Sequence, residues 1–348
     1  MRTKFYIRLL LLLFLVTVCT FCKKESASTL QSTYSSKLDE IFATAGNNPN
    51  LRCLIVYKDG EIVKEKYFQS TGSSTPHDVR SVTKSVMATL IGIAIDKGYI
   101  KSEDTTIGSY LKPYVGTIDT AKAKIRIHNI LTMSCGMFSD ELTDASKYLT
   151  WLNAPNQVAY TLNQPLISTP GETFYYSSDV AHLTSAILTQ ASGMSTYQFA
   201  KQFLFIPLSI NDRSWLTDKQ GIYNGGAGLE LTPYDMLAFG KLYLNKGTYN
   251  GSRIVSEAWI IKATSSKIST NKAQPFGPSY GYFWWIGSST PNYYFANGYG
   301  GQFIVIVPEE NLIVVATNSW ANIPEAIADQ QWYNTIDIII NRIIPLYE

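Results

Sequence analysis

The stretch RSVTKSVMATLIGIAIDKG, residues 80–98, sets a serine and a lysine three positions apart at the head of an apolar run. From Val82 to Ile95 the run carries one charged side chain, Lys84, and it ends at Asp96 with Gly98 just beyond. The pattern predicts a helix stopped near Gly98. A helix this apolar on every side has to be enclosed by the rest of the fold. Ser81 and Lys84 then share one helix face. Burial disfavours a charged amine and brings Lys84 toward the range of a working base. The helix start also offers free backbone N–H groups to a developing oxyanion. The competing reading is a serine that caps the helix beside a lysine that snorkels to water. Taken alone, the stretch leaves both open.

The enclosing elements are read from the two ends of the chain. Leu51–Tyr57 and Glu61–Phe68 are strand-like runs on either side of Asp59-Gly60, a hairpin signal. Near the other end, YGYFWWI (280–286), NYYFAN (292–297), QFIVIV (302–307) and LIVVAT (312–317) read as further strands, and Pro324–Ile344 as a terminal helix. Between Ser81 and about Lys262 the patterns are mostly helical. The expected fold is a mixed α/β (α+β) one. An antiparallel sheet built from the N- and C-terminal segments carries an inserted helical region, with a cleft where the two meet.

The 348 residues are 45% hydrophobic and 16% charged, enough for a sizeable core and against global disorder. Arg2, Lys4 and Arg8 precede an apolar stretch, Leu9–Phe21, that is short of the roughly 20 residues of a membrane span. Residues 1–21 therefore read as an export signal. Cys22 follows and resembles the lipid-modified cysteine of bacterial lipoproteins; Cys19 is a second candidate, and an uncleaved anchor is the alternative. A Ser/Thr-rich linker then spans 22–36, and residues 37–348 form one domain. The expected location is outside the cytoplasm, membrane-anchored and facing the periplasm or cell surface. Without residues 1–21 the chain has 26 basic and 27 acidic residues, a net charge of about −1 that gives no footprint for nucleic acid. Cys53 and Cys135 are the remaining cysteines, and their pairing is open. No Cys/His cluster points to a metal, and no cofactor is expected.

Ser-x-x-Lys occurs three times. Lys112 of Ser109/Lys112 precedes Pro113, which disfavours helical geometry at the lysine. Ser269/Lys272 lies in a polar loop. Ser81/Lys84 alone opens an apolar segment.

The segments SVTKSVMATLIGIAIDKGYIKSEDTTIGSYL, IRIHNILTMSCGM, STPGETFYYSSDVAHLTSAILTQASGMS, PLSI, GGAGLELTPYDMLAFGKLYLNKGTYNGSRIVSEAWI and GYGGQFIVIVPEENLIVVATN follow one another in that order. Together they closely resemble the serine β-lactamase and penicillin-binding-protein superfamily. The nearest branch is that of class C, esterases and 6-aminohexanoate-dimer (nylon-oligomer) hydrolases. The resemblance covers roughly residues 40–345. It implies a β-lactamase/transpeptidase-like fold, Ser81 as nucleophile and Lys84 beside it. The second family motif, Tyr-x-Asn, reads Tyr176-Ser177-Ser178, which makes Tyr176 a proton-transfer partner of Lys84. Ser178 in place of Asn cannot offer an amide N–H to a substrate's acyl group. The third motif, Lys-Thr-Gly, reads Ala296-Asn297-Gly298. The cation that would bind a substrate carboxylate is missing, which argues against β-lactams and D-alanyl termini. The backbone role survives: the amides of Ser81 and Tyr299 would form the oxyanion hole, with Ser178, Asn297 and Gly298 as substrate-binding candidates.

The implied activity is hydrolysis of a carboxylic ester or amide in a small molecule through an acyl-enzyme on Ser81. The alternatives are a D-alanyl-D-alanine carboxypeptidase or β-lactamase, and, in another class, an inactive surface lipoprotein that binds a partner. GPSYG (277–281) matches Gly-x-Ser-x-Gly around Ser279, but a strand follows where that motif needs a helix, and His77, His128 and His182 all lie upstream. His182 is read as a packed or capping residue. Asp140 and Glu141 are read as a solvated loop, with a substrate contact as the rival reading. Trp284 and Trp285 are expected on opposite faces of a strand.

Overall fold

Residues from the two ends of the chain pair with one another in one eight-stranded sheet. The computed structural model describes residues 34–138, 141, 145–271, 277–287 and 290–348. After a helix α1 over 34–45, the sheet strands are β1 (Leu51–Lys58), β2 (Glu61–Tyr67), β3 (Ile268–Ser269), β4 (Ser279–Tyr280), β5 (Trp285–Ile286), β6 (Tyr294–Gly298), β7 (Gln302–Val307) and β8 (Leu312–Asn318). They lie in the order β2-β1-β8-β7-β6-β5-β4-β3, and each neighbouring pair is antiparallel. The closing contact is β1 on β8, with Leu54 opposite Ala316 and Val56 opposite Val314.

The burial of each strand follows its sequence. β7 and β8 are buried along their whole length, so they read as unbroken apolar runs rather than alternating ones. β2, at the edge, is mostly exposed and carries Glu61, Lys64, Glu65 and Lys66, charges that discourage pairing with another chain. Asp59 and Gly60 both have positive φ, 50° and 98°, the type I′ geometry expected of Asp-Gly between strands.

Helices cover both faces. Phe303 of β7 meets Trp332 of the C-terminal helix α5 (Glu325–Ile338) at 5.3 Å between ring centroids. Its neighbour Ile304 points the other way, toward Gly240 of α4 (Pro233–Leu244). The inserted region supplies α2 (Val82–Asp96), buried from Val82 to Ala94, and α3 (Ser178–Ser192), which packs on it. Gly98, at φ 79°, ends α2 as expected.

Three expectations need correction. The aromatic run 280–286 is a hairpin, not one strand: Phe283 has φ 57°, Gly281 N–H donates to Trp284 O at 2.8 Å, and Tyr280 pairs with Trp285. Trp284 therefore lies in the turn, although the two indoles do reach opposite sides. Trp284 packs on Phe239 and Tyr243 of α4, and Trp285 on Tyr176 and Tyr280. Lys112 and Pro113 both lie inside a helix, Gly108–Val115, held down by buried Leu111. The terminal helix continues past Ile338 in π and 3₁₀ turns through Leu346. Cys53 and Cys135 are buried, unpaired thiols.

Gly92, midway along α2, faces the Trp259 indole; a Cβ there would sit 2.3 Å from the ring. Trp259 cannot recede freely, because its Nε1–H donates to Ala88 O at 3.1 Å. Gly→Ala inside a helix normally gains about 1 kcal/mol, whereas overpacking a core costs about 1–3 kcal/mol. Gly92→Ala is therefore expected to destabilise the protein by up to about 2 kcal/mol in urea unfolding, and to become neutral or stabilising in a Trp259→Leu background.

Candidate active site

Ser81 stands at the N-cap position of α2 with helical dihedrals (φ −72°, ψ −4°), and its hydroxyl makes no capping bond. It is half-buried, while Lys84, one turn on, is 1% exposed. The Lys84 amine has three neighbours at 2.8 Å: Ser81 Oγ, Ser178 Oγ and the Gly226 carbonyl oxygen. The Gly226 oxygen accepts only. Ser178 Oγ donates its own proton to Glu141 Oε1 at 2.7 Å, so toward Lys84 it also accepts. A neutral lysine spends both N–H groups on these two oxygens, and its lone pair is left facing the Ser81 hydroxyl. Burial is the largest influence on Lys84 and, with Arg80 nearby, pushes its pKa down to about 8 against the opposing charges of Glu141 and Asp179.

Tyr176 completes the cluster. It is 5% exposed, its hydroxyl is hydrogen-bonded to Ser81, and Lys84 Nζ lies 4.7 Å from its ring centroid. Burial first, then the Glu141 charge, hold its pKa above the usual phenol range. The ring packs against Trp285 at 5.5 Å and Tyr280 at 6.4 Å, an apolar wall beside the hydroxyl.

The third-motif strand reaches the same place through its backbone. A Cβ on Gly298, at the end of β6, would sit 2.3 Å from Val79 O and 3.0 Å from Arg80 Cβ. Glycine lets the strand abut the segment that leads into Ser81, and Tyr299 follows directly. The turn beyond it is tied down from α5 and β8: Gln331 Nε2–H donates to Gly300 O and Asn318 Nδ2–H to Gly301 O, both at 2.6 Å. Asn297 is half-buried just before Gly298, and buried Ala296 offers no cation where the family motif has one.

Two groups escaped the sequence reading. Glu141 is not on a solvated loop: its Oε2 accepts from Ser178 N–H at 2.9 Å and its Oε1 lies 3.9 Å from Lys84 Nζ. Burial raises its pKa, against the charge of Lys84 and the two Ser178 hydrogen bonds. Asp140 lies outside the described residues. Arg80, at φ 50° immediately before Ser81, lays its guanidinium 4.3 Å over the Trp320 ring and 5.7 Å from that of Tyr148. Nothing in an Arg-Ser dipeptide announces this. The positive φ that turns Arg80 toward the cleft arises from packing, with Arg80 N–H donating to Asp78 Oδ1 at 2.8 Å.

His182 is packed, as read, and it also positions a loop. Gly225 N–H donates to Nδ1 at 3.3 Å, so Nε2 carries the proton and donates to buried Asp218 at 3.2 Å. Asn224 Oδ1 accepts from the N–H groups of Gly226 and Ala227. A Cβ on Gly226 would meet Ser178 O at 2.7 Å, so only glycine lets the Lys84-accepting carbonyl lie this close to α3. The other Ser-x-x-Lys pairs do not form comparable sites. Ser109 and Lys112 are both exposed, and Ser269 is exposed with Lys272 outside the described residues. Ser279 begins β4 and is followed by β5, not by a helix. Among the described residues no group of three His, Cys, Asp or Glu side chains is arranged to hold a metal ion. Cys22 lies outside them.

Comparison with known proteins bears on the family and the fold. The beta-lactamase family model matches residues 53–334. The 6-aminohexanoate-dimer hydrolase of Paenarthrobacter ureafaciens is 22% identical over 284 residues, covering 76% of this chain and 72% of that protein. Two solved structures share the fold. The octameric penicillin-binding protein homologue from Pyrococcus abyssi has a TM-score of 0.65 at 21% identity, covering 91% of this chain and 78% of that one. EstCE1, a hydrolase with promiscuous acyltransferase activity, has a TM-score of 0.69 at 15% identity, covering 87% and 99%.

The electrostatics of Lys84 can be measured directly. In NMR of lysine-labelled protein one amine is expected to titrate near pH 8, to vanish in Lys84→Met, and to move upward in Arg80→Gln, because the Arg80 cation opposes protonation of Lys84. An amine that titrates with the surface lysines, near 10.4, would contradict the burial argument.

Proposed function

We propose that this chain, which belongs to the beta-lactamase family, is a serine hydrolase that cleaves a carboxylic ester or amide bond of a small substrate through an acyl-enzyme on Ser81. The observation that carries the reading is the Lys84 amine, 2.8 Å from Ser81 Oγ, Ser178 Oγ and the Gly226 carbonyl oxygen, so that in its neutral form, with both N–H groups on Ser178 and Gly226, its lone pair faces Ser81.

In acylation Ser81 Oγ attacks the substrate carbonyl carbon while its proton moves to Lys84. The carbonyl oxygen becomes an oxyanion held by the backbone N–H groups of Ser81 and Tyr299. The bond to the leaving group breaks as that group takes a proton through Tyr176 or Lys84, leaving an ester on Ser81. Water then attacks the ester, and by microscopic reversibility the same amine and phenol accept its proton and return one to Ser81. All of these groups come from the chain itself.

The substrate reading follows from what the site lacks. Ala296 leaves the third motif without a cation for a substrate carboxylate, so simple esters and amides are favoured over β-lactams and D-alanyl peptides. A purely binding role is disfavoured, because a chain that had lost its chemistry would have no need to keep Ser81, Lys84 and Tyr176 together. The similarity to a 6-aminohexanoate-dimer hydrolase supports an amide-cleaving branch. We further read the protein as exported and lipid-anchored through Cys22, on the strength of the basic and apolar residues 1–21. On that reading residues 37–348 form the hydrolase domain beyond a linker at 22–36.

A fluorophosphonate probe is expected to add once to the purified domain, on the peptide bearing Ser81, and not at all to Ser81→Ala. Tyr176→Phe is expected to lower kcat about 100-fold or more if the phenol transfers a proton. An adduct on Ser279, or none on folded protein, would overturn the assignment. In cells, Cys22→Ser is expected to move the protein from the membrane fraction to the soluble one; an unchanged distribution would remove the lipid-anchor reading alone.

A further inference from the structure

We propose that Ser178 and Glu141 form a proton relay that draws the proton off Lys84 during acylation. This rests on the reading of Ser81 as nucleophile and Lys84 as its base.

The geometry is continuous. Lys84 Nζ lies 2.8 Å from Ser178 Oγ, and Ser178 Oγ lies 2.7 Å from Glu141 Oε1. The direct separation of Lys84 Nζ from Glu141 Oε1 is 3.9 Å, beyond hydrogen-bond reach, so the hydroxyl is the bridge. The second carboxylate oxygen accepts from the Ser178 backbone N–H at 2.9 Å, which fixes the carboxylate against that residue. An ionised carboxylate can only accept. The Ser178 proton therefore points to Glu141 and its oxygen lone pair to Lys84, the order a relay needs. Asparagine, which the family motif has here, can bridge two groups but has no hydroxyl proton to hand on. The loss of Asn at 178 and the placement of a carboxylate at 141 thus make one arrangement.

In the reactive state Lys84 is neutral and Glu141 ionised. As the Ser81 Oγ–carbon bond forms, the Ser81 proton passes to Lys84, and the carbonyl electron pair moves to its oxygen. Lys84 gives a proton to Ser178 Oγ while Ser178 gives its own to Glu141 Oε1. The amine is neutral again, and the carboxyl carries one proton. When the leaving-group bond breaks, the transfers reverse, and the proton leaves on the departing group through Lys84 or Tyr176. Nothing is oxidised or reduced. Glu141 touches no substrate atom; it acts through Ser178 and Lys84 as a positioning and charge-holding residue.

The groups that face Glu141 are consistent with this exchange. Lys84 and Arg80 supply positive charge and Asp179 negative, and the phenols of Tyr148, Tyr176 and Tyr280 lie within electrostatic range. In this enclosure burial raises the carboxyl and lowers the amine, so the two affinities approach each other.

The test compares wild type, Glu141→Gln, Glu141→Asp, Ser178→Asn and the Glu141→Gln/Ser178→Asn double variant on a p-nitrophenyl acyl ester across pH. Folding is checked by circular dichroism, and Ser81 is labelled with a fluorophosphonate in parallel. Glutamine can still accept from the Ser178 N–H, so packing is kept while the charge is lost. The relay predicts a fall in kcat of about 10- to 100-fold for Glu141→Gln, with KM within about twofold. It also predicts an ascending limb shifted to lower pH, because the charge that supports the Lys84 ammonium is gone. Glu141→Asp should recover part of the rate. Ser178→Asn should lose as much as Glu141→Gln, and the double variant no more than either. A Glu141→Gln enzyme with wild-type kcat and pH limb overturns the relay. So does a loss that Glu141→Asp does not relieve and that leaves the limb in place, or a double variant whose losses multiply. Should Glu141→Gln fail to fold, Ser178→Asn decides: an unchanged kcat overturns the relay. If wild type takes no label on Ser81, the hydrolase reading fails and the relay with it; labelled wild type with an unaffected Glu141→Gln removes the relay alone.

Discussion

The arrangement around Ser81 depends on one costly act, the removal of the Lys84 amine from water. Moving an unpaired ammonium into a protein interior costs several kcal/mol or more, and the usual escape is to surrender the proton and bond every polar atom that remains. Both happen here. Among the described residues no carboxylate lies within hydrogen-bond reach of the amine, and three oxygens at 2.8 Å come from three places in the chain: its own helix, the start of α3 and the loop at Gly226. The pairing of β1 with β8 joins the two ends of the chain in one sheet, and α2 packs on its strands β6 and β7. The burial that shapes the fold is therefore the burial that lowers the pKa of Lys84.

How much of this is visible in the residues depends on range. The buried helix, its glycine stop and the β1–β2 hairpin are legible because each rests on a local property: apolar residues all round, a left-handed residue after the last turn, positive φ at Asp59 and Gly60. The aromatic run 280–286 misleads, since tyrosine, phenylalanine and tryptophan favour strands wherever they stand. The turn inside it is set by Phe283 at φ 57°, which no residue type there announces. Glu141 is invisible for a different reason. A carboxylate in a polar loop is ordinarily solvated, and only the arrival of Ser178 from 37 positions away makes it a half-buried partner. Arg80 likewise acquires its place from Trp320 and Tyr148, residues far along the chain.

The two departures from the family motifs can be weighed on the same physical footing. At Gly298 and Gly226 the neighbouring backbone lies so close that a Cβ would collide at 2.3 and 2.7 Å, so these positions admit no side chain without moving the strand or the loop. At 178 and 296 the constraint is chemical rather than steric. A buried Ala296 closes its part of the site with no polar group to satisfy. Ser178 is acceptable because both sides of its hydroxyl are satisfied, Lys84 on one and Glu141 on the other; a buried hydroxyl with either partner missing would cost about 1–3 kcal/mol. Serine at 178 is thus tied to glutamate at 141. The polar capacity the family directs outward, to a substrate's amide and carboxylate, is here turned inward on the lysine. What remains beside the half-buried Ser81 hydroxyl is the Tyr176 phenol, with buried Tyr280 and Trp285 packed against its ring.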